Sequence, residues 1–247
     1  VSPREAPDNP AKHEEGDVSG YCTAEDVPYE TIATEDEPRK RLIEQVRVLY
    51  KPNAKAHRLD PPLDDDNNHR DFSCLELGVV DSLALPYETY KLAFTQSLLD
   101  QVFTGGGVDK DVLGKEGRYV SSQALKEGGG FPDTDGDDTW WIPSGRQAFD
   151  ADHFYLPDKT QDPFGQCYIL AYDGEWLLME RTEDPIQNVV QIANNYRVMQ
   201  PEKITDPNGN QAEVAFDTLG LVAGTAVMGK GEDPDEGDSL KKFNPDL

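Results

Sequence analysis

Metal chemistry, if the chain has any, would begin at the acidic run DTDGDDTWW (133–141). Asp133, Asp135 and Asp137 alternate there like the first ligands of a calcium loop, in which carboxylate oxygens surround a hard cation. Two positions break the pattern. Asp138 stands where the glycine of the sharp turn belongs, and Ser144 where a bidentate glutamate would close the loop. The expected role is a solvated acidic turn, with calcium the one cofactor the spacing admits. The run DDDNNH (64–69) is a weaker version of the same pattern.

Trp140 and Trp141, followed by Pro143 and Gly145, have the composition of a sugar-stacking platform. Neighbouring strand residues point to opposite faces, so at most one ring could meet a glycan while the other packs inward. Core packing is the expected role. Paired carboxylates suited to glycoside hydrolysis occur by abundance alone in a chain with 48 acidic residues. The sequence holds no G-x-S-x-G, H-E-x-x-H or P-loop. His13, His57 and His69 lie in polar segments, and His153, in DADHFYLP, reads as structural. Cys22, Cys74 and Cys167 form no CxxC and have no histidine at ligand spacing, which argues against zinc. Cys167 reads as a buried structural thiol. No catalytic constellation emerges, and the chain is not expected to be an enzyme.

The formal net charge is −25, from 48 acidic and 23 basic residues. That balance opposes a nucleic-acid partner and adhesion to anionic membrane. It fits solubility or a salty environment, or else a basic partner or cargo. No apolar stretch has the length of a membrane span, and no signal-peptide pattern is seen. The chain starts at Val1 and reads as a piece of something longer.

The elements that would position these residues follow from periodicity. Residues 1–38 read as an extended, poorly ordered acidic arm. RKRLIEQVRVLYK (39–51) fits helical and alternating spacing alike, and its β-branched and aromatic content tips it to strand. TQSLLDQVF (95–103) predicts a helix capped by Thr95, and SSQALKE (121–127) a second one stopped by glycines 128–130. Beyond residue 139 short aromatic and β-branched runs are punctuated by Pro, Gly, Asp and Asn, as in strands. The expected division is an arm (1–38), a mixed loop, strand and short-helix region (39–139), a repeat β region (140–231) and a polar tail (232–247).

Asp-Pro recurs at 162–163, 184–185 and 206–207, a spacing of 22 residues. DPFGQCYILAYD and DPNGNQAEVAFD share Asp162 and Asp206, Pro163 and Pro207, Gly165 and Gly209, and an aromatic-Asp ending, Tyr172-Asp173 and Phe216-Asp217. Proline presets the turn and glycine re-enters a strand. Tyr168, Leu170 and Tyr172 then share one strand face, as do Ala212, Val214 and Phe216. The middle copy lacks the glycine. Such a unit holds a strand, a turn and a return strand, and stacked units would bury their aromatic face.

The Tyr-Asp pair and D-x-x-G turn resemble Rhs/YD repeats. VVDSLALPYETYKLAFTQSLLDQVF, DDTWWIPSGRQAFDADHFYLP, NYRVMQPEKITDPNGN and VAFDTLGLVAGTAVMGKG are together similar to the Rhs region of the component B proteins of Tc insecticidal toxin complexes, over roughly residues 39–231. The resemblance implies a mainly β fold, with antiparallel YD-repeat strands forming part of a curved shell and one or two short helices. It implies a secreted, non-catalytic wall around a cytotoxic polypeptide, with other toxin-complex components or the rest of the shell as partners and no membrane insertion by this segment. The self-cleaving C-terminal core and variable toxin domain of that family have no counterpart here, and 247 residues are too few to close a cocoon. A segment or a stand-alone relative is therefore expected. A secreted carbohydrate-binding β module using Trp140 or Trp141 is the alternative.

Overall fold

The computed structural model describes residues 23–32, 38–59, 72–103, 107–230 and 237–245. Cys22, His13, His69 and the run 64–69 lie outside the described residues. The ambiguous stretch 39–51 is strand: β2 (Arg39–Arg41) and β3 (Val46–Tyr50). Part of the expected loose arm is ordered too. Its segment Glu25–Val27 forms β1, parallel to β2, with Glu25 facing Arg39 and Asp26 facing Lys40 across ion pairs of 3.7 and 3.3 Å.

β3 pairs antiparallel with β4 (Pro86–Phe94), which tolerates a proline at its first residue because no ladder N–H is needed there. β6 (Trp140–Pro143) lines the other side of β4, and β5 (Val120–Ser121) lies beyond, giving the order β3-β4-β6-β5. Helices α1 (Gln96–Val102) and α2 (Ser122–Gly129) stand where the sequence places them. Thr95 Oγ1 accepts from Leu98 N and Ser121 Oγ from Ala124 N, each at 3.2 Å, and Gly130 ends α2 at φ +66°.

Two apolar clusters sit against this sheet. Leu49, Tyr87, Tyr90, Val120, Leu125, Phe131 and Trp141 form one, while Leu99, Leu113 and Trp140 form the other. Phe131 meets Trp141 and Tyr90 edge to face, at centroid distances of 5.2 and 6.0 Å. The neighbouring tryptophans thus fill different cores on opposite sides of β6, as strand alternation requires.

The rest is one antiparallel meander of eight strands in sequence order. They are β7 (Arg146–Asp150), β8 (Leu156–Gln161), β9 (Cys167–Tyr172), β10 (Met179–Glu183), β11 (Val189–Asn195), β12 (Gln200–Thr205), β13 (Asn210–Phe216) and β14 (Val222–Lys230). The change of sheet falls between Pro143 and Arg146 rather than at 139/140, because β6 bonds to β4 and β5. Mainly antiparallel β structure with short helices is what the sequence predicted.

The expected burial of an aromatic face is not found. Between Leu156 and Phe216 only Gln161 and Asp173 are buried, and Tyr168 is 39% exposed. A sheet buries a face only against a second layer, and the described residues supply none over β9–β13.

Candidate functional site

The meander is built on an eleven-residue beat. Asp162, Asp173, Asp184, Asn195, Asp206 and Asp217 each open a turn between successive strands. At five of the six, one side-chain oxygen accepts two backbone N–H groups. Oδ1 of Asp162 takes Phe164 and Gln166, Asp184 takes Ile186 and Asn188, Asp206 takes Asn208 and Asn210, and Asp217 takes Leu219 and Leu221. Asp173 Oδ1 takes Glu175 and Leu177, and its Oδ2 takes Leu178 at 3.1 Å. Asn195 keeps one such bond, from Arg197 N. The short carboxylate thus organises the turn from inside, as Asx turns do.

The 22-residue spacing is two beats, one for each strand of a hairpin. Tyr172-Asp173 and Phe216-Asp217 mark the turns of one rim, and Asp162 and Asp206 those of the other. Three residues past the aspartate the chain needs φ > 0. Gly165, Gly209 and Gly220 take it at +85°, +86° and +85°, and Trp176 and Gln187 take it at +57° and +67°. A side chain there costs about 1–2 kcal/mol, which is why glycine marks the copies that are legible in sequence. The middle Asp-Pro copy is the same turn with Gln187 in the strained place.

The prolines of the two matching copies differ in exposure. Pro163 is half-buried, whereas Pro207 is exposed. Pro207 presets its turn through its fixed φ. Its ring borders an open apolar cleft shared with Tyr168, Leu170 and Val190.

The two rims differ. On the Asp173 rim, successive turns are stitched together: Tyr196 Oη donates to Asp173 Oδ2 at 2.7 Å, and Arg197 donates to the carbonyls of Asp217 (2.7 Å) and Thr218 (3.1 Å). His153 stacks on Trp176 at 3.6 Å while its Nδ1 meets Asp150 at 2.8 Å. These contacts give His153 a structural role.

Electrostatics follow the same contacts. N–H donation from Leu177, joined by Tyr196 Oη and by Leu178 and Glu175 N–H, outweighs desolvation and holds Asp173 below the usual carboxylate range. Asp206 is lowered chiefly by the Asn210 side chain. Desolvation pushes Asp184 up more than any single bond lowers it, yet Asn188 and Ile186 together carry it down. The same Asp173 carboxylate raises the Tyr196 phenol to about 12.

Cross-strand partners share a face, so the register divides the sheet in two. One face carries Tyr168, Leu170, Thr182, Val190, Ile192, Ile204, Ala212, Val214, Thr225 and Val227, none of them charged. The other carries Lys159, Arg181, Glu183, Lys203 and Glu213, with Arg181 paired to Glu183 and Lys203 to Glu213.

The joint to the first sheet buries a charged pair. Glu88 and Arg146 are 2% and 5% exposed. Glu88 Oε2 accepts from Tyr90 Oη at 2.5 Å and from Arg146 Nε at 3.5 Å, and the guanidinium lies 5.1 Å above the Tyr87 ring. A cavity of about 350 Å³ opens beside them, lined also by Ser144, Gln161 and Tyr168. Gly145, at φ +87°, passes so close to Gln161 that a Cβ would lie 2.4 Å from its carbonyl oxygen. Sequence reading missed Glu88 and Arg146, and named Gly145 only beside the tryptophans. It also missed Asp184 as a full turn, although the eleven-residue count was there to find it.

The acidic run does not gather its carboxylates. Asp135 is paired with Arg47. Lys126 Nζ reaches Asp137 Oδ1 at 2.6 Å and the backbone carbonyls of Asp135 and Asp133 at 2.7 and 3.3 Å. An ammonium thus stands where a cation would draw those oxygens together. Among the described residues no group of three or more His, Cys, Asp or Glu could hold a metal ion. Trp140 and Trp141 are both buried, and Trp141 Nε1 donates to Ser122 Oγ at 3.0 Å. Cys167 corrects the expectation of a buried thiol, for it is exposed at the start of β9, where its sulfur meets only the Gln161 amide (3.7 Å) and the Gly165 carbonyl (3.9 Å). No helix among the described residues is long and apolar enough to cross a membrane.

The sequence matches no family model and no curated protein. Solved structures do share the fold. The crystal structure of TcdB2-TccC3-Cdc42 is similar at a TM-score of 0.53 and 23% identity, over 78% of this chain and 8% of that chain. TcdB2-TccC3 gives 0.53 and 22% over the same shares. A Photorhabdus luminescens Tc holotoxin pore gives 0.53 and 22%, over 81% of this chain and 8% of that one. The fold is therefore related to that of Tc toxin structures, and the chain spans about a twelfth of the chains it resembles.

Proposed function

We propose that this chain is a non-catalytic structural segment of an Rhs/YD-repeat toxin-delivery shell, of the Tc component B kind, which helps to enclose a cytotoxic polypeptide. The observation that carries the reading is the bare sheet. Eight strands stand edge to edge with neither face covered over β9–β13, held by turn aspartates and backbone ladders rather than by a core. A single-layer sheet is poorly suited to independent packing, and it is what a hollow wall requires. The similarity to TcdB2-TccC3 structures supports a toxin-related role.

In this reading the segment is secreted and works beside other toxin-complex components or the remainder of the shell. It neither binds nucleic acid nor inserts into a membrane. The carbohydrate-binding alternative has no observation in its favour, since both tryptophans are in cores. The test is a chimera in which residues 86–230 replace the structurally matched segment of a TcdB2-TccC3 shell. Closed particles that retain cargo in electron microscopy are expected. Open or unassembled particles, from a chain that circular dichroism shows to be folded, would sink the proposal.

A further inference from the structure

Asn208 is followed by Gly209, and no other asparagine in the sequence precedes a glycine. In such a pair the glycine nitrogen is placed to attack the asparagine side-chain amide and close a cyclic imide, and the lack of a Cβ leaves the approach open. Asn208 is exposed, and its side chain makes no hydrogen bond among the described residues. Around Gly209 there is open space, since a Cβ there would meet nothing within 4 Å.

The other asparagines of the meander are held. Asn188 Nδ2 donates to Asp184 Oδ2 and Asn210 Nδ2 to Asp206 Oδ2, each at 2.8 Å. Asn194 Nδ2 donates to the Met179 carbonyl and Asn195 Nδ2 to Glu202 Oε2, each at 2.9 Å. The two Asp-Gly pairs, 135–136 and 173–174, are held as well: Asp135 is paired with Arg47, and Asp173 accepts from three backbone N–H groups and Tyr196 Oη. What restrains Asn208 is its turn. Gly209 N, the attacking atom, donates to the Asp206 carbonyl at 3.0 Å, and Asp206 Oδ1 accepts from the N–H groups of Asn208 and Asn210. The nitrogen is released toward Asn208 Cγ when those bonds open, which is an event local to the turn.

We propose that Asn208 is a site of spontaneous deamidation, with the Asp206 turn as its brake. Gly209 N bonds to Asn208 Cγ, the Cγ–Nδ2 bond breaks, and the proton from Gly209 N leaves with the side-chain nitrogen as ammonia. Water then opens the imide at either carbonyl and leaves aspartate or isoaspartate at 208. No oxidant or reductant takes part. Isoaspartate carries the main chain through its Cβ and Cγ, so the backbone between 208 and 209 gains a carbon and the Gly209 N–H loses its place on the Asp206 carbonyl. Either product sets a second carboxylate beside Asp206 in a chain whose net charge is already −25. The change falls on the rim shared with Asp162 and Asp184, and it loosens the β12–β13 hairpin.

Incubation of the full chain in mildly alkaline buffer, followed by peptide mass spectrometry with aspartate and isoaspartate resolved, tests the proposal. Asn208 is expected to convert ahead of Asn188, Asn194, Asn195 and Asn210, and to convert faster in the urea-unfolded chain than in the folded one. Asp206→Ala removes the carboxylate that holds the turn and should speed the folded protein's reaction about tenfold, equivalent to 1.4 kcal/mol. Asp184→Ala, in the neighbouring turn of the same rim, should leave the Asn208 rate unchanged, which separates local opening from general loosening. The proposal is overturned if Asn208 converts no faster than Asn188, or if unfolding brings no acceleration. It is equally overturned if Asp206→Ala leaves the rate unchanged or Asp184→Ala raises it as much.

Discussion

Trp141 and Tyr168 are both aromatic residues of antiparallel strands, yet Trp141 is 1% exposed and Tyr168 39%. Trp141 belongs to a four-stranded sheet roofed by a helix and loops, with Phe131, Leu125 and Tyr90 around it. Tyr168 belongs to an eight-stranded sheet whose faces lie open over β9–β13. The first region is held by burial and the second by repetition. In the meander, turn aspartates satisfy backbone N–H groups and long antiparallel ladders run between them. Neither device removes much apolar surface from water, so each strand adds about as much as its neighbours do. Repeat architectures behave this way, and a packed domain does not.

The comparison can be broken most directly in the core. Trp141→Ala is expected to cost about 3–5 kcal/mol through lost burial and the cavity left behind, whereas Tyr168→Ala should cost less than about 1 kcal/mol. Urea unfolding followed by circular dichroism gives both numbers, and comparable losses would mean the two sheets are stabilised alike. Next in size is Gly145→Ala at the joint. With φ at +87° and a Cβ 2.4 Å from the Gln161 carbonyl, about 2–3 kcal/mol should be lost, and limited proteolysis should begin to cut between Pro143 and Arg146. A variant as resistant as the parent would show that the joint is loose.

Acid should separate the regions. Asp173, Asp184 and Asp206 all have carboxyl groups held below their unfolded value. Their stabilisation is therefore fully present above the unfolded pKa of ~4 and is lost as pH falls through the folded values. In the first region Asp137 is lowered by Lys126 but is 86% exposed, where screening leaves little effect on stability. Glu30, outside the four-stranded sheet, is carried down against desolvation by bonds from Ser97 and Thr95. Hydrogen exchange between pH 6 and pH 3 should thus show the meander opening before the four-stranded sheet. Asp184→Asn keeps the turn acceptor, as Asn195 does naturally, and should weaken this pH dependence; an unchanged acid profile would remove Asp184 from the account. The smallest effect belongs to the stitched rim. Tyr196 should ionise near 12 in an ultraviolet titration, later than an ordinary tyrosine, and Asp173→Asn should bring it back toward 10.

Much of this architecture could be read before folding. Thr95 and Ser121 announce their helices because a hydroxyl at that place has one dominant use, accepting an orphan N–H. The Asp-Pro-x-Gly turns are legible because proline and glycine restrict or release φ locally. The middle copy lacks the glycine, yet Gln187 takes the same conformation, since ladders on both sides hold it there. Pro163 and Pro207 look alike in sequence and differ in exposure, and residue type alone assigns Cys167 to an interior it does not occupy. Burial depends on what lies opposite, which no local window contains.

The sequence by itself determined the spacing of the turns, the strand alternation and the helix caps. All of these are settled within about a dozen residues by backbone geometry and short hydrogen bonds. Only the tertiary structure decided which face met a second layer. It sealed both tryptophans into separate cores, set Lys126 among the oxygens of the acidic run, buried Glu88 with Arg146 at the joint, and left β9–β13 uncovered. Those outcomes rest on contacts between segments as far as 88 residues apart, as in the Arg47–Asp135 pair. Such contacts are set by how the sheets lie together, and periodicity carries no record of that.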